Sequence, residues 1–218
     1  STVPAYGMQR LPEQLAADLS PGVIRFESSV ELVHSRGVVA DGREISARAV
    51  VVATDAWTAA ELVPAVGPPP ASRGVTTYYH AADPWPGQSP TLLIDARPSG
   101  PANSIVLTAA APEYSGDGRS LISTSVVHDG EDRGPGADQI RADLAELHGR
   151  DTSQWELVGT YVIPQALPAM TAPHPLVRPA SAGGVFLAGD HRATSSIQGA
   201  VVSGRRAADA VTAAFAAG

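Results

Sequence analysis

The chain has 218 residues, a formal net charge of −7 and 44% hydrophobic residues, a composition typical of a folded globular protein. The acidic balance argues against a nucleic-acid partner, because such partners require a basic surface. The sequence has no cysteine, and all 15 basic residues are arginine, so this sequence offers no thiol chemistry, thiolate metal site or lysine Schiff base. No apolar run reaches the roughly 20 residues that span a bilayer. Since no signal-peptide pattern opens the chain, we expect a cytoplasmic protein.

The first part of the chain predicts a short helix followed by several short strands. Leu11, Leu15 and Leu19 have helical spacing, and Ser20–Gly22 ends the helix. The Asp41–Gly42 pair predicts a hairpin. The predicted strands are residues 23–27, 30–34, 37–40, 43–45 and 49–53. The strand at 49–53 contains a continuous valine run, which is typical of a strand buried on both faces.

A proline-rich connector separates this part from a second one. After a brief predicted helix over residues 57–63, the segment PAVGPPPASRG cannot continue a helix or a central strand. Beyond it, strand-like stretches alternate with turn clusters, which predicts an antiparallel sheet. The predicted elements are strands at 75–80, 91–96, 104–108 and 121–127, a helix at 136–148 and a strand running from 155 to about 170.

The last segment, VFLAGDHRATSSIQGAVVSGRRAADAV, runs from a short apolar strand through Gly189–Asp190 into a helix. A carboxylate at the carboxyl end of a buried strand lies where open α/β sheets bind ligands. Thr194, Ser195 and Ser196 can cap the helix, and its small residues indicate that something approaches its backbone closely. These small residues are Gly199, Ala200, Ser203, Gly204 and Ala207. The alternative is a capped helix packed on a sheet, with Asp190 as a solvated turn residue.

Four segments that span most of the chain occur in the order YGMQRLPEQLAADL, VVADGREISARAVVVAT, YVIPQALP and the closing segment above. Together they resemble the carboxyl-terminal part of the flavin-containing amine oxidoreductases, which include phytoene-desaturase-like and protoporphyrinogen-oxidase-like enzymes. The resemblance implies an α/β protein of mixed α+β character, FAD as the cofactor, and hydride transfer from a small, fairly apolar organic substrate to the flavin.

The resemblance also implies cofactor-binding residues. Asp190, after Gly189, would hydrogen-bond the ribityl or pyrophosphate region of FAD, while Ser196, Ile197 and Gln198 would present helix N–H groups to the flavin pyrimidine edge. The other implied contacts are Val30 near the adenine, Ala53 and Thr54 at a strand end, Gly7 and Met8 in a loop near the flavin, and Pro164, Gln165 and Ala166 beside the isoalloxazine ring. No metal site and no catalytic residue is implied.

The implied architecture is a partial FAD-binding domain with an inserted domain. Residues 1–69 and 162–218 would be pieces of the FAD-binding domain, and residues 70–161 an antiparallel substrate-binding domain. The family's opening G-x-G-x-x-G turn, which binds the FAD pyrophosphate, has no counterpart in this sequence. We therefore expect that segment to have been removed or to lie on a separate polypeptide, and we expect this chain alone to be inactive.

Two functional hypotheses follow. The first is the carboxyl-terminal portion of an FAD-dependent oxidoreductase. Many amine oxidases of the family that the chain resembles place a lysine near the flavin N5 atom, so the lack of lysine favours a desaturase-like over an amine-oxidase activity. The second is a non-catalytic split or degenerate subunit that acts as a binding or assembly module. The six histidines lack metal-ligand spacing and are expected at the surface or in the core, and HDGEDRG is expected to be a solvated turn. Tyr78, Tyr79 and Tyr161 are expected either in the core or along a pocket.

Overall fold

The computed structural model describes residues 3–97, 100–129, 134–175 and 177–217, so most of the predicted HDGEDRG turn lies outside the described residues. The strands in these ranges are β1 Val30–His34, β2 Gly37–Ala40, β3 Arg43–Ser46, β4 Val51–Val52, β5 Ser72–Ala82, β6 Leu93–Ile94, β7 Asn103–Val106, β8 Ser120–His128, β9 Glu156–Pro168, β10 Ser181–Ala182 and β11 Val185–Leu187. The helices are α1 Arg10–Ala17, α2 Ala56–Leu62, α3 Leu107–Ala110, α4 Ala137–Leu147 and α5 Ile197–Ala217.

The chain forms two compact units, each built from two segments. The first, called the sheet unit below, comprises the described residues of segments 1–23 and 72–166. The second, called the α/β unit, comprises segments 24–71 and 167–218. The start of the chain therefore groups with the sheet unit, whereas the sequence analysis placed it with residues 24–69. One contact that holds it there is the hydrogen bond from the Tyr114 hydroxyl to the Pro4 carbonyl oxygen, at 3.2 Å.

The sheet unit contains the predicted antiparallel sheet, with strand order β6-β7-β8-β5-β9. Strands β5 and β8 pair along their whole length, from Gly74 opposite His128 to Ala82 opposite Ser120. Every second residue of β8 is buried, as a sheet covered on one face requires. The predicted helix, now α4, covers that face with Ile140 and Leu144, which pack with Tyr78, Val106, Ile122, Val126 and Trp155.

The α/β unit contains two small three-stranded sheets. Strands β1, β2 and β3 form an antiparallel meander, and Asp41 and Gly42 make the predicted hairpin turn with positive φ angles of 51° and 69°. In the other sheet, β11 pairs parallel with β4 and antiparallel with β10. Its core consists of Val50, Val52, Ala59, Val63, Val185 and Leu187.

Four strand predictions need correction, and one of them, the strand at 91–96, shortens to Leu93–Ile94. Residues 23–27 form turns, since Glu27 has a positive φ of 55° that an extended strand does not allow. The predicted strand 49–53 shortens to Val51–Val52, and Val51 is 44% exposed because β4 is the last strand of its sheet in the described ranges. The predicted strand 104–108 ends at Val106, where α3 begins.

None of the helices in the described ranges combines the length and the apolar character that crossing a membrane requires.

Two histidines of the sheet unit pack near Trp155, one of them buried and the other half-buried. His80 is almost fully buried, its Nδ1 atom has no hydrogen-bond partner, and its ring lies 6.3 Å from that of Trp155. His148 shares a 2.9 Å hydrogen bond with the Ser104 hydroxyl and packs edge-on against Trp155. Burial lowers the pKa of both imidazoles, with Arg141 contributing at His80 and Arg150 at His148. The fold therefore favours both rings in the neutral form.

This burial predicts that acid destabilises the sheet unit. Because the folded pKa values lie below the unfolded value of about 6.5, the unfolded chain binds more protons as the pH falls through that value. We expect the urea midpoint, followed by tryptophan fluorescence, to fall between about pH 7.5 and about pH 5.5. His80→Leu should weaken this dependence, because it removes a buried ring that the fold keeps neutral. If the urea midpoint depended equally steeply on pH in wild type and in His80→Leu, the conclusion that the fold favours neutral His80 would be contradicted.

Candidate functional site

The two parallel strands of the α/β unit end side by side. The Ala188 N–H donates to the Val52 carbonyl oxygen at 2.9 Å, so the loops that follow β4 and β11 begin next to each other. The Thr54 carbonyl oxygen lies 3.2 Å from the point that a Cβ on Gly189 would occupy. The structure thus brings together four of the residues predicted for the site, namely Ala53, Thr54, Gly189 and Asp190.

Gly189 links this strand end to helix α5. Its N–H donates to the Ser203 hydroxyl at 2.9 Å, and that hydroxyl donates to the Ala200 carbonyl oxygen at 2.8 Å. Gly189 has a φ of 144°, and a Cβ there would lie 2.5 Å from Cε1 of His191. Glycine is required at this position both for its backbone conformation and for the space that the His191 ring occupies.

Asp190 is a fixed carboxylate rather than a solvated turn residue. Its Oδ1 accepts a hydrogen bond from the His191 N–H at 2.7 Å, and its Oδ2 accepts one from the Ser195 hydroxyl at 3.4 Å. The side chain is 27% exposed and lines a cavity of about 110 Å³. The carboxylate therefore keeps acceptor capacity for a ligand at the carboxyl end of β11.

Helix α5 begins beside this carboxylate, with Ser196 as its cap. The Ser196 hydroxyl accepts from the Gly199 N–H, and the Ser196 carbonyl oxygen accepts from the Ala200 N–H, both at 3.0 Å. Within the described part of the chain, the N–H groups of Ile197 and Gln198 have no acceptor. Two backbone donors at the positive end of a helix dipole thus remain available for a ligand.

The structure shows what approaches the small residues of α5. A Cβ on Gly199 would lie 1.9 Å from the Thr194 carbonyl oxygen, so the chain's own loop makes the close approach. A Cβ on Gly204 would have no neighbour within 4 Å. The close approach predicted from the small residues is therefore made at Gly199 by the capping loop, and none is made at Gly204.

The cavity at Asp190 has a cationic wall that the sequence analysis missed. It is lined by Arg178 and Arg192 and also by His174 and His191. Arg192 is only 6% exposed, and its Nη2 donates to the Pro179 carbonyl oxygen at 2.6 Å. His191 is 8% exposed, and burial, followed by the Arg192 charge, lowers its pKa. In the sequence, the one indication of this wall was the position of Arg192, two residues after Asp190.

The other predicted cofactor residues lie elsewhere. Val30 begins β1 in the α/β unit, where it pairs with Ala40, and it does not line the Asp190 cavity. Gly7, Met8 and Pro164 belong to the sheet unit, Pro164 within β9. The roles implied for these residues remain predictions.

The sheet unit has a separate open groove of about 640 Å³ between strands β5 and β9. Tyr79 and Tyr161 meet edge to face on its floor, with ring centroids 5.8 Å apart. The rest of its lining is mainly apolar and comprises Thr77, Leu121, Val158, Gly159, Thr160, Val162 and Ile163. Tyr78 instead belongs to the core, where its hydroxyl donates to the Pro135 carbonyl oxygen. Of the three tyrosines, two line a pocket and one is buried.

The sequence model of the family described as flavin-containing amine oxidoreductase matches residues 1–212 of this chain. The chain belongs to this family. The family is one of flavoenzymes that catalyse oxidation and reduction, as the closing Gly-Asp segment suggested. No curated protein sequence matches the chain.

Solved structures show the same fold. A candidate protoporphyrinogen oxidase from Exiguobacterium sp. 255-15 superposes with a TM-score of 0.67 at 16% identity, over 94% of this chain and 51% of that one. An oxidoreductase from Methanosarcina mazei gives a TM-score of 0.59 at 16% identity, over 84% of this chain and 48% of that one. A reduced UDP-galactopyranose mutase gives 0.57 at 11% identity, over 75% and 40%. This chain therefore spans about half the length of the first two structures, and the likeness concerns the fold.

The two glycines of α5 give a matched prediction. Gly199→Ala should destabilise the protein by about 1–3 kcal/mol, since the added methyl group must displace the backbone at Thr194. Gly204→Ala should stabilise it by about 0.5–1 kcal/mol, because alanine is the better helix former and meets no atom. Chemical denaturation of both variants measures the two effects, and equal shifts of the same sign would contradict this account of Gly199.

Proposed function

We propose that this chain is the carboxyl-terminal portion of an FAD-dependent oxidoreductase that oxidises or desaturates an organic substrate by hydride transfer to the flavin. The observation that supports this most directly is the meeting of three features in the α/β unit. The carboxyl ends of β4 and β11, the Asp190 carboxylate and the unpaired N–H groups of α5 lie together. Open α/β sheets bind cofactors at such strand ends.

These groups fit the parts of FAD that they would contact. Asp190 would accept a hydrogen bond from a ribityl hydroxyl, for which its free acceptor capacity is suited. The N–H groups of Ile197 and Gln198 would donate to the pyrimidine edge of the ring. The helix dipole behind them would favour negative charge on the reduced cofactor. FAD supplies the hydride acceptor, while these residues bind and orient it.

We assign substrate binding to the sheet unit. The groove on β5 and β9 offers apolar and aromatic surface, with Tyr79 and Tyr161 as its rigid elements. It would hold the body of an apolar substrate.

Full FAD binding would need a further phosphate-binding segment, either upstream in a longer chain or on a second polypeptide. No G-x-G-x-x-G turn occurs in these 218 residues, and the α/β unit would then supply the ribityl and ring contacts alone. We therefore expect the purified 218-residue chain to be colourless. Stoichiometric flavin absorbance that persists through gel filtration would contradict this expectation.

Asp190 provides the test of the cofactor site. In a flavin-binding form that carries the phosphate-binding segment, Asp190→Ala removes a charge-assisted hydrogen bond of about 1.5–3 kcal/mol. Flavin titration should show an increase of about one to two decades in the dissociation constant. Asp209→Ala, which removes an exposed carboxylate from the same helix, serves as the control and should bind FAD as wild type does.

The competing hypothesis, a non-catalytic assembly module, predicts a different outcome. In that case no form of the protein would bind FAD tightly, and Asp190→Ala would behave like Asp209→Ala. Wild-type affinity in the Asp190→Ala protein would remove the main physical support for the proposed site.

A further inference from the structure

Three arginines meet beside the Asp190 cavity. The Arg206 Nη2 donates to the Arg192 carbonyl oxygen at 2.9 Å, and the Arg178 backbone N–H donates to the same oxygen at 3.3 Å. Burial, followed by the charges of Arg178 and Arg206, lowers the pKa of Arg192. Three like charges are thus close together in the α/β unit, and backbone carbonyls accept from the guanidinium groups of Arg192 and Arg206.

No carboxylate lies within ion-pair distance of these three guanidinium groups in the part of the chain that the structure describes, whereas Arg97 and Arg119 each form such pairs. The Nε atoms of Arg178 and Arg192 are buried and have no hydrogen-bond partner. Since an unpaired buried cation is costly, the arrangement requires a counter-charge that these residues do not provide.

The cavity itself has the size and polarity to receive that counter-charge. Its volume of about 110 Å³ is several times the roughly 10–15 Å³ that one water molecule requires. Arg178 and Arg192 lie on one wall with His174 and His191, and both ring nitrogens of His191 lack a hydrogen-bond partner. The rest of the lining consists of Asp190, Ser195 and the apolar residues Ala56, Val66, Pro68, Pro69, Pro70, Pro168, Ala169 and Met170.

We propose that this cavity binds an oxyanion of the phosphate or carboxylate class. Arg178 and Arg192 hold the anionic group, and His191 donates a further hydrogen bond to it. Asp190 lines the same cavity, and its Oδ1 lies 3.9 Å from Nδ1 of His191, so Nε2 is the ring nitrogen that would donate to the anion. The site requires no flavin and goes beyond the proposed function. The FAD pyrophosphate has the same chemistry as a separate phosphate, and the experiment distinguishes these two sources.

The experiment compares the thermal unfolding of the 218-residue chain in inorganic phosphate and in chloride at equal ionic strength. At a phosphate concentration about ten times the dissociation constant, the Tm of wild type should rise by about 3–6 °C. An equal Tm in phosphate and chloride at every concentration would overturn the proposal.

Two substitutions make the test specific. The side chain of Arg178 makes no hydrogen bond or ion pair within the described residues, so we expect Arg178→Gln to fold. It should lose the phosphate-dependent rise, while its Tm in chloride should equal or exceed that of wild type because a like charge is gone. Arg178→Lys should recover part of the rise. Arg205→Gln, at an exposed position of α5, should respond to phosphate as wild type does, and an equal response from Arg178→Gln would contradict the site.

A second titration identifies the source of the anion. ADP, which carries the pyrophosphate of FAD, is added to the chain at saturating phosphate. If ADP competes with phosphate and its effect requires Arg178, the site receives the pyrophosphate of the dinucleotide. If the increases in Tm caused by ADP and by phosphate add, the site receives a separate phosphate or carboxylate. Both results support an oxyanion site and differ only in the molecule that supplies the anion.

Discussion

The parallel pairing of β4 with β11 is the interaction on which the rest of the candidate site depends. Three-residue and two-residue strands from distant parts of the sequence align Val51 with Phe186 and Val52 with Leu187. Their loops therefore start from the same edge of the sheet, which places Thr54 beside Gly189. The Gly189 to Ser203 hydrogen bond then fixes helix α5 relative to this edge. The strand ends, the carboxylate and the helix start are consequently positioned as one group.

The loop after β11 places opposite charges close together in the chain. Asp190 accepts hydrogen bonds from the loop's own N–H and hydroxyl groups, so it remains an acceptor that faces a cavity. Arg192, two residues later, is buried among further arginines and has no carboxylate partner in the described ranges. A ligand with hydroxyl donors and an anionic group would satisfy both. We propose that such a ligand, rather than an ion pair within the loop, balances the carboxylate and the buried guanidinium.

The sequence predicted the elements that local patterns determine. The Asp41–Gly42 hairpin, the long antiparallel pair and the helix now called α4 follow from turn chemistry and periodicity. The errors lie where tertiary context decides. Val51 is exposed because β4 is an outer strand of its sheet. Arg178 and Arg192 could not be recognised as one wall, because hydrogen bonds and packing in the folded unit, rather than a motif, bring them together.

The central claim is that the start of α5 contacts the flavin. Hydrogen exchange of the backbone amides in a flavin-binding form, compared with and without FAD, tests it most directly. The account predicts that the amides of Ile197 and Gln198, which have no acceptor in the described residues, become protected when FAD binds. The Ala200 amide, already bonded to Ser196, should change little. Unchanged exchange at Ile197 and Gln198 in the FAD-loaded protein would contradict the claim.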